Sequence, residues 1–226
     1  MQRRGEAGRV QELGHGEPAP GLGTGAAANR LFVARGYAAT SLADIAADAA
    51  VARPTVFAAF GSKAALLREV VDQAPAGDDE PVPVAERPWF RPVREARTPR
   101  AVVHAYAEVC TLIGGRAAEI FEVVRRAADE GPEPAGLWET MQRNRRAGAG
   151  MVVDLVEARG AGRRGLDHER AVDTVWMFND PCHYRALVRE RGWSEREYAD
   201  WIAGQMCHGL GLDAPGSGGD GPTGGE

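Results

Sequence analysis

Apolar positions along this chain recur every three to four residues, the spacing of helices that bury one face, and seldom alternate as half-buried strands do. The first stripe is Ala27, Ala28, Leu31 and Phe32, with Gly36 as a C-terminal stop. Thr40-Ser41-Leu42-Ala43-Asp44 then presents an S-x-x-D capping pattern at Ser41, which opens a short helix with Leu42, Ile45, Ala46 and Ala49 inward. Val51 plugs the turn after it, and Pro54 falls where proline is welcome, in the first turn of a third helix. That helix carries Val56, Phe57 and Phe60 before Gly61 ends it, and Ser62 caps a fourth with the stripe Leu66, Leu67, Val70 and Val71.

Further along, Val102, Val103, Tyr106, Val109, Cys110 and Ile113 share a helical face, as do Ala117, Ile120, Phe121, Val124 and Ala127–Ala128. Gly114-Gly115 between the two stripes predicts a kink or a short turn. Leu137, Met141, Met151, Val152, Leu155 and Val156 predict a longer helix running through Arg143, Arg145 and Arg146, and a turn at Gly160–Gly165 separates it from a helix over Ala171–Phe178. Asn179-Asp180-Pro181 starts another helix, with Tyr184, Leu187 and Val188, that ends near Gly192. Ser194-Glu195-Arg196-Glu197 is a capping box for a last helix with Tyr198, Trp201, Ile202, Met206 and Leu210.

The fold class is therefore all-α, with an N-terminal head of three helices and a fourth linking helix, followed by a larger helical domain. Residues 1–23 are polar and rich in glycine and proline and read as a disordered tail; 24–73 form the head. Six prolines between Ala74 and Pro99 break any continuous helix there, so 74–99 read as a linker. The second domain spans 100–212, and 213–226 read as a flexible acidic tail.

Composition narrows the function. The 226 residues carry 27 basic and 32 acidic side chains, a formal charge of −5, so any contact with nucleic acid has to come from a local patch. Three widely spaced cysteines, Cys110, Cys182 and Cys207, fit neither a disulfide framework nor a C-x-x-C metal site and point to a reducing, cytoplasmic compartment. No apolar run approaches the roughly 18 residues of a membrane span, so no membrane partner is expected. His104, His168, His183 and His208 have no ligand spacing with a cysteine or carboxylate, Cys182 and His183 point to different faces of a helix, and no glycine loop for phosphate is present. Neither an enzyme, a metal nor a cofactor is expected.

Two short helices joined by a tight turn and resting on a preceding helix describe a helix-turn-helix unit, although the spacing alone suits equally a small helical subdomain with no DNA role. More of the residues agree. Leu31-Phe32, Gly36-Tyr37, Thr40-Ser41, Asp44-Ile45-Ala46, Val51, Thr55, Phe57, Phe60, Ser62-Lys63 and Leu66-Leu67 follow in order without a gap. That series resembles the N-terminal DNA-binding domain of the tetracycline-repressor (TetR) family of transcriptional regulators. By the resemblance, Thr40 and Ser41 contact phosphate at the N-terminus of the second helix. Lys63, the only lysine of the chain, contacts phosphate at the start of the fourth, and Arg53 and Thr55 read bases. Phe57 stands in the same row, where the family often has a tyrosine. Ala50 occupies a turn position where the family prefers glycine. The head balances Arg30, Arg35, Arg53, Lys63 and Arg68 against Asp44, Asp48, Glu69 and Asp72, a net charge of +1.

The stretch from Thr174 to Leu212 looks like the C-terminal end of many such regulators. The resemblance implies a homodimer on a double-stranded DNA operator, its last long helices forming a four-helix bundle. Val172, Val175, Trp176, Leu187, Trp201 and Ile202 suit that surface or, equally, the core of one subunit. A small-molecule effector, apolar or amphipathic, is implied among the middle helices, with Tyr106, Cys110, Phe121, Trp138, Met141, Trp176 and His183 as candidate lining residues, each of which also suits plain core.

Overall fold

A computed structural model describes residues 20–160 and 167–212, and all regular elements among them are helical. Residues 1–19 and 213–226, expected to be tails, and 161–166 of the expected turn lie outside the described residues. Helix α1 (Pro20–Arg35) starts earlier than its apolar stripe suggested, because a proline is compatible with a first helical turn. Ala27, Ala28 and Phe32 are fully buried on its inner face, and the chain leaves it at Gly36 with φ 84°. Helix α2 (Leu42–Asp48) is opened by a reciprocal capping box: the Asp44 N–H donates to Ser41 Oγ at 3.2 Å and the Ser41 N–H to Asp44 Oδ2 at 2.9 Å. Helix α3 (Arg53–Phe60) follows a turn through Ala50, and α4 (Lys63–Ala76) is capped by the Ser62 hydroxyl.

Ala50 has φ 55°, the sole non-glycine residue among those described with positive φ. A Cβ in that region costs about 1–2 kcal/mol, part of which a glycine returns to its greater freedom when unfolded. Ala50→Gly is therefore expected to stabilise the chain by about 0.5–1 kcal/mol, raising the midpoint of a thermal melt by about 1–4 °C. A lower midpoint would show that the turn carries no strain at this residue.

The proline-rich stretch is more ordered than its composition suggested. Helix α4 runs through Pro75 to Ala76 before Gly77, at φ 87°, turns the chain. Two single 3₁₀ turns (Val84–Glu86 and Pro88–Phe90) and a short helix α5 (Arg91–Glu95) then carry Phe90 and Val93 into the core, at 1% and 0% exposure. Buried Arg87 ties the loop together, donating to the Val82 and Glu80 carbonyls at 3.0 and 2.8 Å and pairing with Asp78 at 2.7 Å. Prolines at the starts of short helical turns shape this segment rather than loosening it.

Helix α6 (Pro99–Ala127) is continuous through Gly114-Gly115, where a kink or turn was expected. Its two apolar stripes form one face. Its far half, with Ala117, Ile120, Phe121 and Val124, shares a core with α1, α2, α3 and α4, so the head packs directly on the second domain. A 3₁₀ turn (Ala128–Glu130) leads to α7 (Pro132–Ala158), then α8 (His168–Phe178), α9 (Pro181–Tyr184) continuing as a π-helical turn over Arg185–Glu190, and α10 (Glu195–Gly209). Val172, Val175 and Ile202 are buried inside the single chain at 3%, 0% and 0%, which removes them from any surface. Trp176, Leu187 and Trp201 stay half-buried, and Met177, next to Trp176 in the chain, is exposed.

Candidate functional site

Helix α3 buries Val56 against the head core and turns Arg53, Thr55, Phe57, Ala58 and Ala59 to solvent. Phe57 is 62% exposed, an apolar ring held outward with nothing to cover it in the single chain. The residues around this face are arranged differently from one another. Ser41 is exposed, but its hydroxyl and N–H are both engaged with Asp44, and these hydrogen bonds hold the Asp44 carboxyl below the usual aspartate range. A carboxylate thus already occupies the start of α2.

Thr40 departs from the expected phosphate contact. It is 1% exposed, and its hydroxyl donates to the Gly36 carbonyl at 2.8 Å and the Leu31 carbonyl at 3.3 Å, tying the α1–α2 turn together. Lys63 is half-buried, its Nζ donating to the Tyr37 carbonyl at 2.7 Å and lying 4.1 Å from the centre of the Tyr37 ring. One exposed arginine of the head, Arg30, is paired with Asp48 at 2.7 Å. Arg53, Thr55 and Phe57 are all exposed on α3, while Thr40 and Lys63 bind the protein's own backbone.

A cavity of about 510 Å³ lies where α4, α6 and α7 meet the 3₁₀ turns, within the range of small-molecule sites. Tyr106, Cys110, Phe121 and Met141 line it, as expected from their helical faces. Trp138, Trp176 and His183 do not. Trp138 packs on the head-side core, Trp176 lies under the Arg145 guanidinium with 5.6 Å to its ring centre, and His183 stacks with Phe178 and Trp201 while its Nε2 approaches the Met177 carbonyl at 3.0 Å. Burial pushes the Cys110 thiol up to about 12 and raises the Tyr106 hydroxyl as well, so both groups are protonated at neutral pH and the thiol is a poor nucleophile.

The polar end of the cavity is built by Arg145 and Asn179. Arg145 pairs with Asp180 at 2.9 Å and donates to the Trp176 carbonyl at 2.8 Å. Asn179 Nδ2 donates to the Tyr106 hydroxyl at 2.9 Å and to the Arg145 carbonyl at 3.3 Å. Three buried side-chain atoms at this node have no partner: Arg145 Nε, Trp176 Nε1 and Asn179 Oδ1. Each unsatisfied buried group costs about 1–3 kcal/mol, so this is a place of concentrated unmet hydrogen bonding.

Residues 26–70 match the family described as bacterial regulatory proteins, tetR family. The chain carries a TetR-family head. No curated protein sequence matches it. Solved structures with the same TetR-like fold include the transcriptional regulator FadR from Bacillus subtilis in complex with stearoyl-CoA (15% identity, 84% of this chain and 98% of that one, TM-score 0.68). A TetR-like transcriptional regulator from Rhodococcus sp. RHA1 is 20% identical over 86% of this chain and 98% of its own, with TM-score 0.61. A protein from Saccharomonospora viridis in complex with choline is 17% identical over 83% and 95%, with TM-score 0.64.

Within this TetR-like fold the Arg143, Arg145 and Arg146 run divides. Arg143 and Arg146 are surface residues facing acidic neighbours, Arg146 meeting Glu169 at 2.6 Å and Asp173 at 3.0 Å, whereas Arg145 has only a tenth of its side chain exposed. The spacing held a signal for that difference. Arg145 follows Met141 by four residues and so shares its inward face. Asn179 was legible only as part of a helix start; Asp180 takes the cap instead, accepting from the Cys182 N–H at 2.8 Å, and frees Asn179 for the cavity wall. Among the described residues no helix is long and apolar enough to cross a membrane.

Proposed function

We propose that the chain is a ligand-responsive, DNA-binding transcriptional regulator, a repressor that works in the cytoplasm as a homodimer on a near-palindromic operator. The observation that carries this reading is the open face of α3, with Arg53, Thr55 and Phe57 presented to solvent from a head of the tetR family. A helix of that size, so exposed, suits the major groove. The half-buried Trp201 and Leu187 and the exposed Met177 offer a second copy an apolar surface.

Control follows from where α4 lies. Val71, Asp72 and Pro75 of α4 form part of the cavity wall, and Arg116 of α6 donates to the Ala76 carbonyl at the end of α4, at 2.7 Å. A small molecule that binds better when α4 has shifted draws the population toward that arrangement and changes the spacing of two heads. The stearoyl-CoA and choline held by the regulator-like structures support a ligand in this fold.

A second reading, a dimeric ligand-binding or interaction module with weak DNA binding, is favoured by the inward Thr40 hydroxyl, the Lys63–Tyr37 contact and the Asp44 carboxylate at the start of α2. Fluorescence anisotropy with labelled genomic fragments across a salt series separates the two. The regulator prefers particular fragments, with a shallow salt slope because few phosphates are neutralised. Binding that is weak and blind to sequence leaves the second reading. Sedimentation velocity shows a dimer for either, and a chain that stays single at high concentration removes both.

A further inference from the structure

The cavity is apolar over most of its wall; its polar lining is Asp72, Asn144, Arg145, Asn179 and the Tyr106 hydroxyl, and of these Arg145 and Asn179 each keep a buried atom unpaired. The side-chain geometry says which kinds of atom these are. Arg145 spends Nη1 on Asp180 and Gln142 and Nη2 on the Trp176 carbonyl, leaving the Nε–H donor. Asn179 points Nδ2 at the Arg145 carbonyl, which can only accept, so its amide is held in that orientation and Oδ1 is left as an acceptor. The charge at the polar end is already balanced, since Asp180 lies 2.9 Å from the guanidinium, and the other ionised group on the wall, Asp72, is negative.

We infer that the cavity takes an uncharged, largely apolar molecule whose one polar head both donates and accepts a hydrogen bond, a carboxamide or an alcohol. This rests on the reading of the cavity as an effector site. Both atoms have almost no accessible surface, so the head reaches them only once their side chains shift: its oxygen then accepts from Arg145 Nε, and its N–H or O–H donates to Asn179 Oδ1. A carboxylate brings acceptors only, faces Asn179 Oδ1 with a lone pair, and adds negative charge to a wall that holds Asp72 and whose one cation, Arg145, is already paired with Asp180. A quaternary ammonium on an alkyl chain brings neither donor nor acceptor.

The test uses the full chain and a matched set of ten-carbon probes: decanamide, 1-decanol, decanoate and decyltrimethylammonium, each displacing the neutral fluorophore N-phenyl-1-naphthylamine at about pH 7.5. The amide and the alcohol are expected to bind about tenfold or more tightly than either ion. Asn179→Leu is expected to erase the advantage of the amide while changing the affinity of the ammonium less than about twofold; should that variant fail to fold, the ranking on the unaltered chain decides. Preference for either ion, or equal binding of all four, overturns the uncharged head and leaves a ligand-binding cavity standing. Failure of the fluorophore and all four probes to bind overturns the inference together with the effector site itself.

Discussion

Arg53→Ala is expected to lower affinity for the preferred operator by about 1–3 kcal/mol per half-site, about five- to 150-fold for each, while binding to unrelated DNA changes little. The expectation follows from position and chemistry. Arg53 is the first residue of α3, exposed, and the N-terminal residues of the second helix in such units are those that reach base edges. A guanidinium there can grip guanine with two parallel hydrogen bonds, which alanine cannot replace. Anisotropy titrations of both proteins on the preferred fragment and on a scrambled one measure the difference. An equal loss on both fragments, with the salt slope reduced by about one, would instead make Arg53 a phosphate contact. Lys63 supplies the contrast. Its Nζ already holds the Tyr37 carbonyl at 2.7 Å, so Lys63→Ala acts first on the packing of α4 against the α1–α2 turn, and its effect registers in a thermal melt.

Much of this fold was readable because the signals that set it are local. Ser41 with Asp44 and Ser194 with Glu197 are capping boxes in the sequence and in the structure, each helix end satisfying its own free N–H groups. The stripes of α1, α2, α4 and α6 were legible for the same reason, a period fixed by backbone geometry. What was hidden depends on distant neighbours. Thr40 reads as a helix-start residue from its position, and only the return of the chain past Leu31 and Gly36 draws its hydroxyl inward. Arg145 stands between two surface arginines; its burial is decided by Asp180 and the Trp176 carbonyl, more than thirty residues away in the case of both partners. Of the expected cavity residues, Tyr106, Cys110 and Phe121 of α6 and Met141 of α7 line it, while Trp138 packs on the head-side core, Trp176 meets the Arg145 guanidinium and His183 turns toward the Phe178 and Trp201 rings, because helical spacing tells which residues are inside but not which of them meet a void.

Gly114→Ala is expected to destabilise the chain by about 1–3 kcal/mol, lowering the thermal midpoint by about 2–12 °C, although the same change in an exposed helix stabilises by about 1 kcal/mol. The reason lies across the core. A Cβ built at Gly114 falls 2.6 Å from Cγ, 2.7 Å from Cβ and 2.8 Å from Cδ2 of Tyr184. These are the near atoms of that side chain, so no rotation of a distant tip relieves them. Nor is the ring free to retreat: Tyr184 is 1% exposed, lies edge-on to Tyr198 with 5.4 Å between ring centres, and donates its hydroxyl to Glu195 at 2.6 Å. Adjacent Gly115 gives the opposite result: its added Cβ meets the Tyr184 hydroxyl at 3.3 Å, Glu195 Oε1 at 3.6 Å and Tyr184 Cζ at 3.7 Å, so only the end of the ring has to give by a few tenths of an ångström, and Gly115→Ala is expected to be neutral or mildly stabilising. Combining Gly114→Ala with Tyr184→Ala completes the argument. With the ring gone, the contacts to Cγ and Cδ2 disappear while the one to Cβ at 2.7 Å stays, so the cost should shrink relative to Tyr184→Ala alone. A Gly114→Ala loss that is undiminished in the Tyr184→Ala background would mean that the glycine serves the flexibility of α6, and not the close approach of the Tyr184 ring.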